Sequence, residues 1–389
     1  MKSIPVIMFH SVRPPAPSWL WRHLSCPPDL FEAYLRYLKS KGYTTVLLPD
    51  VLAYIHGGKE LPGRSIALTF DDGYLDNWTV AAPLLKKYGF CGTVFVNPGF
   101  VDPRDLVREH VNCTSVSEAP SDLLDGFMSW NELKEAQSAG ILDVQSHAMT
   151  HTWYPSSDEI LDFHHPGDCY PWLTWNARPE RKHLWLAEDQ SEFVDFGVPV
   201  YAHEKSLIVR RYFEPEELNT KLAAVVRESG GRDFFKRQNW RDVLREAARK
   251  LPSSERYESE DEYRARVEWE LATSREEIES RLGKRVDIIC WPGGGHNEVT
   301  QDIARKVGYV GWTMRALANL AGRASPEIGR ESVPILKLGR ASGVVNRLAF
   351  VYKVEACRGT PFWRQARWLV RCLYAVPKLL KRTLGRGGP

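Results

Sequence analysis

Residues 67–78 read ALTFDDGYLDNW: an apolar run, two adjacent aspartates and a glycine. The run has the texture of a buried strand that ends at Asp71. Neighbouring side chains of a strand point to opposite faces, so Asp71 and Asp72 can be fixed close together yet serve different tasks. The bland alternative is a helix N-cap followed by a turn at Gly73. What surrounds the pair decides between them.

Upstream, DLFEAYLRYLKSK (29–41) sets Leu30, Phe31, Tyr34, Leu35 and Leu38 at helical spacing behind an Asp29 cap, and Gly42 ends the segment. A strand TTVLL, a helix near PDVLAYIHGG, the strand SIALTF, a helix NWTVAAPLLKKYG and the strand GTVFVN follow in turn. Downstream, SWNELKEAQSAG carries Ser129 and Glu132 at capping-box spacing, and ILDVQSHAMTH reads as a strand running into polar residues. After about residue 265 the alternation resumes with EWELATSREEIESRLG, VDIICWP, NEVTQDIARKVG and VGWTM. Such alternation implies an α/β fold with a mainly parallel sheet wrapped by helices. Active sites of these folds gather at the carboxyl ends of strands, where Asp71 and Asp72 stand.

The 389 residues, 43% of them hydrophobic, suffice for one large core and an accessory region. With 52 basic against 49 acidic residues, bulk charge gives no argument for a nucleic-acid partner. The seven cysteines are scattered and form no C-x-x-C pair, which fits reduced thiols. MKSIPVIMFHSV lacks the pattern of a secretory signal and reads as a first strand, so a cytoplasmic location is expected. No apolar run is long enough to span a bilayer.

His147 and His151, four residues apart at a second strand end, can aim at one point. With a carboxylate from elsewhere they would make a three-ligand metal site with an open position. Isolated histidine pairs are also common on surfaces and in cores.

Taken together, LTFDDGY, SHAMTH with the helix and strand before it, and WPGGGHNEVTQDIARKVGY resemble, in order and context, the polysaccharide deacetylases of carbohydrate esterase family 4. The resemblance covers residues 1–151 and 268–352, leaving an insertion at 152–267 and a basic tail at 353–389. It implies a distorted, incomplete, seven-stranded (β/α) barrel of the NodB type. Carried over by motif, Asp72, His147 and His151 would bind a metal, Zn²⁺ first, with Co²⁺, Ni²⁺ or Mn²⁺ also accepted by such ligands. Asp71 would be the general base, and the Tyr74 backbone N–H would help hold the oxyanion. Many relatives take the acid from a histidine near the C-terminus, but here no histidine follows His296. The opening IPVIMFHSV resembles the members with an N-terminal histidine motif, which makes His10 the candidate acid; the alternative is a histidine capping the first strand. CWPGGGHN lacks the arginine that often precedes this proline to orient the base. Trp291 and Pro292 are expected to wall the pocket, with His296 a loop residue.

Between about 152 and 265 the texture changes to tryptophans, prolines and paired charges. His164, His165, Asp168 and Cys169 lack a further ligand pair at zinc spacing, so a second metal is set aside. Trp172, Trp175 and Trp185 fit either a small core or stacking on sugar rings. In the tail, Phe362, Ala366, Leu369, Leu373, Val376 and Leu380 form one helical stripe opposite Arg364, Arg367, Arg371, Lys378 and Lys381, with Pro377 as a kink. This fits a helix lying on an anionic membrane, and equally one docked on the barrel. The expected function is metal-dependent N-deacetylation of an amino sugar in a glycan or lipid-linked saccharide. An O-acetyl esterase and an inactive glycan-binding subunit remain open.

Overall fold

The computed structural model describes residues 3–16, 19–111, 119–251, 256–333, 335 and 342–360. The tail residues named above lie outside them, apart from the stretch up to Thr360. The chain runs β1 (Val6–Phe9), α1 (Pro28–Ser40), β2 (Thr44–Thr45), α2 (Leu48–Ile55), β3 (Ser65–Phe70), α3 (Ala82–Tyr88), β4 (Gly92–Val96), α4 (Trp130–Ser138) and β5 (Leu142–Ser146). There follow β6 (Trp153–Phe163), α5 (Pro171–Ala177), β7 (Pro199–Lys205), α6 (Glu216–Glu228), α7 (Trp240–Ala248) and α8 (Glu260–Leu282). The last elements are β8 (Ile288–Ile289), α9 (Glu298–Val307), β9 (Gly311–Arg315), β10 (Glu327–Ser332) and α10 (Ser342–Cys357).

Parallel pairing orders the main sheet β1-β10-β9-β8-β5-β4-β3-β2, and β1 also pairs with β3. The ring therefore closes on seven strands, with two-residue β2 outside it beside β3. Inward-facing Val6, Ala67, Phe95, Ile288 and Ile328 cluster with Leu48, Val51, Leu52 and Ile55, so α2 plugs one end of the barrel. The space between strands and outer helices holds a larger cluster, in which Phe9, Phe31, Phe70 and Tyr34 meet and Phe350 of α10 stacks on Tyr34 at 4.1 Å.

Several local expectations shift. Helix α1 begins at Pro28 behind Pro27 with no side-chain cap, and Asp29 sits inside the first turn, where its charge favours the helix dipole. Residues Asn77–Ala81 wind as a π turn before α3, and TTVLL gives only two strand residues before α2 begins. The Ser129–Glu132 capping box forms as the spacing predicts. Helix α8 starts at Glu260 behind a Ser259–Glu262 capping box, so the composition shift near 267 falls within one continuous helix.

Strands β6 and β7 form an antiparallel hairpin. With α6, α7 and the turn at 231–236 it encloses its own core of Phe163, Tyr201, Tyr212, Leu222, Phe234 and Trp240. A second aromatic cluster, including Tyr74, Phe100, Phe127, Trp172 and Trp175, joins this insertion to the barrel. Arg266 of α8 also ties it down, pairing with Glu258 at 2.6 Å and donating to the carbonyls of Ser206 and Val209. Among the described residues no helix is long and apolar enough to cross a membrane.

Candidate active site

The carboxyl ends of β1, β3, β5 and β8 converge on one cavity of about 940 Å³. Strand β3 delivers Asp71 and Asp72, and the backbone turns at once: Asp72 (φ 73°) and Gly73 (φ 69°) are both left-handed. Aspartate tolerates that region better than most residues and glycine enters it freely, which explains the order Asp-Gly at this bend. The two carboxylates consequently face different partners.

Asp72 Oδ1 lies 3.2 Å from His147 Nε2 and 3.4 Å from His151 Nε2. The ligand atoms of these residues all fall within 4.8 Å of one another, and an N, N, O donor set of this kind fits a divalent cation. His147 Nδ1–H donates to the Cys290 carbonyl at 2.7 Å, which directs Nε2 toward the cluster as a lone-pair donor. Burial pushes His151 down to about 4 against the pull of Asp72, so its imidazole is neutral and able to ligate near neutral pH.

Asp71, 3% exposed, is gripped by an arginine the sequence did not disclose. Arg330 of β10 donates from Nη1 to Oδ1 at 2.6 Å and from Nη2 to Oδ2 at 3.0 Å. Burial alone would raise the Asp71 carboxyl, but the Arg330 charge, with His10 and His147, outweighs it and holds the group below its ordinary value. Cys290, at the position where the arginine was missed, places Sγ 2.9 Å from Arg330 Nη2. The ion pair is thus supplied from a strand 40 residues further on.

His10 ends β1 with Nε2 4.0 Å from Asp71 Oδ2, and it lines the cavity. Asn77 donates to its carbonyl at 2.7 Å, while Asp76 accepts from Ser11 Oγ at 2.5 Å and from the Val12 N–H at 2.8 Å. The strand end is therefore tied to the segment that follows the aspartate pair.

Tyr74 bridges Phe127 through the Leu75 and Met128 N–H groups, which leaves its own N–H out of the bridge. Trp291 lines the cavity, whereas neighbouring Pro292 is buried in the turn and lies outside the lining; His296 does line it. Trp21, Trp153, Trp175 and Trp185 form one wall, with ring centroids 5.3 to 6.3 Å from Trp21. Trp172 instead packs against His203 in the core. Far from the cavity chemistry, His164 is used internally, with Nδ1 2.6 Å from Asp168 and Nε2 2.7 Å from the Ser191 carbonyl.

A family model described as polysaccharide deacetylase matches residues 58–165 and 252–312. The Bacillus subtilis protein YxkH, provisionally named a polysaccharide deacetylase, is 33% identical over 93 residues, 24% of this chain and 31% of its own. The poly-beta-1,6-N-acetyl-D-glucosamine N-deacetylase of Escherichia coli K12 is 20% identical over 291 residues, 74% of this chain and 30% of its own. The chain thus spans about a third of the length of these curated relatives. A solved de-N-acetylase from Aggregatibacter actinomycetemcomitans superposes with a TM-score of 0.54 at 17% identity, covering 88% of this chain and 99% of that one, a likeness of fold. His10 and Arg330 lie outside the segments the family model matches.

Proposed function

From the premise that this chain belongs to the polysaccharide deacetylase family through residues 58–165 and 252–312, we propose that it hydrolyses the N-acetyl group of an amino sugar within a glycan. The observation that carries the reading is the placement of Asp71, held as a carboxylate by Arg330, between His10 and the Asp72–His147–His151 cluster on the floor of an aromatic cavity. Asp72, His147 and His151 would hold the cation, with Zn²⁺ first among the metals that suit them. Bound there, a divalent cation would supply Lewis-acid polarisation of the acetamide carbonyl and lower the pKa of water.

The chain's own groups do the rest. Asp71 accepts the proton of the attacking water, and Arg330 keeps its two oxygens oriented for that task. The Tyr74 N–H would donate to the oxygen on which negative charge develops. His10, with Nε2 4.0 Å from Asp71 Oδ2, gives a proton to the departing amine. The tryptophan wall supplies flat apolar faces against which a pyranose ring packs. The Escherichia coli relative is named for poly-beta-1,6-N-acetyl-D-glucosamine, and the substrate class proposed here is a glycan or lipid-linked saccharide bearing N-acetylhexosamine. The basic segment 361–389 would hold the chain at an anionic membrane; unchanged membrane-fraction recovery after its deletion removes that part of the reading.

The test is acetate release from free, lipid-linked and polymeric N-acetylhexosamines, after chelation and readdition of Zn²⁺, Co²⁺, Ni²⁺ or Mn²⁺. Release that Asp71→Asn abolishes establishes the activity. Release from O-acetylated sugars alone replaces it with an esterase.

A further inference from the structure

The loop between the two histidines is strained and fully hydrogen-bonded. Ala148 (φ 59°) and His151 (φ 43°) are both left-handed, a conformation unfavourable for residues other than glycine that persists only when its surroundings impose it. Every backbone group from His147 to Thr150 has a partner. The His147 N–H donates to the Val96 carbonyl at 2.8 Å and the Ala148 N–H to Ser146 Oγ at 3.2 Å. Asn97 Nδ2 donates to the carbonyls of His147 and Ala148, and the Gly99 N–H to that of Met149 at 3.1 Å. Glu270 of α8, 1% exposed, accepts from the Met149 N–H at 3.1 Å, from the Thr150 N–H at 2.9 Å and from Thr150 Oγ1.

The last group, the Thr150 carbonyl, is held by the insertion. Lys182 Nζ donates to it at 3.0 Å, 3% exposed and 5.3 Å from the centroid of the Phe100 ring. That carbonyl belongs to the peptide whose nitrogen is His151 N, so its orientation sets the φ of His151. A buried ammonium needs an anion nearby, and Glu270 across Thr150 provides one.

We infer that Lys182 is a positioning residue through which the insertion holds His151 in its ligating conformation, Lys182 taking the Thr150 carbonyl while Glu270 takes its N–H and hydroxyl. The proposal rests on the reading of Asp72, His147 and His151 as a metal site. It makes the insertion part of the metal centre as well as a wall of the cavity.

Zn²⁺ affinity of the full chain, measured by competition against a chelating dye, tests this without any substrate. Lys182→Met should weaken Zn²⁺ binding roughly 10- to 100-fold, the range typical of lost outer partners of metal ligands. Lys182→Arg, which keeps a cationic donor, should restore most of it. Weakening of less than about fivefold, well below that range, overturns the proposal. So does a loss that Lys182→Arg leaves uncorrected while the metal-free unfolding midpoint falls in parallel, since that is general destabilisation. Should Lys182→Met not fold, Lys182→Gln with Glu270→Gln removes both charges together and is judged by the same threshold. A parent chain that binds no Zn²⁺ would instead defeat the metal-site reading itself.

Discussion

At the scale of single residues, the site divides into groups whose chemistry is announced by neighbours in sequence and groups that meet only in space. Asp71, Asp72, His147 and His151 were legible because each pair is local and stands at a strand end. Arg330 was not, because it lies 259 positions from Asp71 in a short segment, EIGRES, with a single large apolar residue to mark it as a strand. The available signal was the spacing of Ile328 and Arg330, two apart and both buried, as inward-facing strand residues are. Removing the guanidinium tests its hold on the base. In Arg330→Met the Asp71 carboxyl loses its largest charge partner, its pKa rises, and a base needed as carboxylate is protonated at higher pH. The acid limb of kcat/KM should therefore move upward by about 1–3 pH units, read from a pH–rate profile. His10→Ala should lower kcat by roughly 10²–10⁴-fold with metal content unchanged if His10 is the acid; equal loss of metal would make it a ligand instead.

Among the elements, the β3 turn shows how backbone conformation serves the site. Gly73 and Gly42 have nearly the same φ, 69° and 68°, but a Cβ on Gly73 would stand 2.9 Å from Val96 Cγ1, whereas one on Gly42 meets nothing within 4 Å. Gly42→Ala should cost only the left-handed strain, about 1–2 kcal/mol, and leave turnover intact. Gly73→Ala adds a clash beside Asp72 and should lose both stability and activity, as thermal unfolding and acetate release would report. Most barrel elements were readable from alternation. The β6–β7 hairpin was not, because register shifts between Pro155, Ile160 and Asp162 break the period-two pattern by which a strand is recognised. The insertion's internal core of aromatics was visible only as a change of texture.

Over the whole molecule, the insertion converts an open barrel mouth into a walled cavity, with Trp153, Trp175 and Trp185 facing Trp21 across from the carboxylates. Rings that bind sugar without taking part in bond cleavage should act on KM. Trp153→Ala and Trp185→Ala are each expected to raise KM roughly 3- to 10-fold, the worth of one aromatic contact, with kcat changed less. A fall confined to kcat would mean that these rings shape the reacting centre instead. The closure of the ring has a further consequence. Strand β1 lies between β3 and β10, so His10, Asp71 and Arg330 become neighbours only when distant parts of the chain meet. On the ribosome, the nascent chain carries Asp71 long before the guanidinium that pairs with it has been synthesised. Until residue 330 emerges, burying Asp71 would strand an unmatched charge, which disfavours closing the ring before its last strand is made.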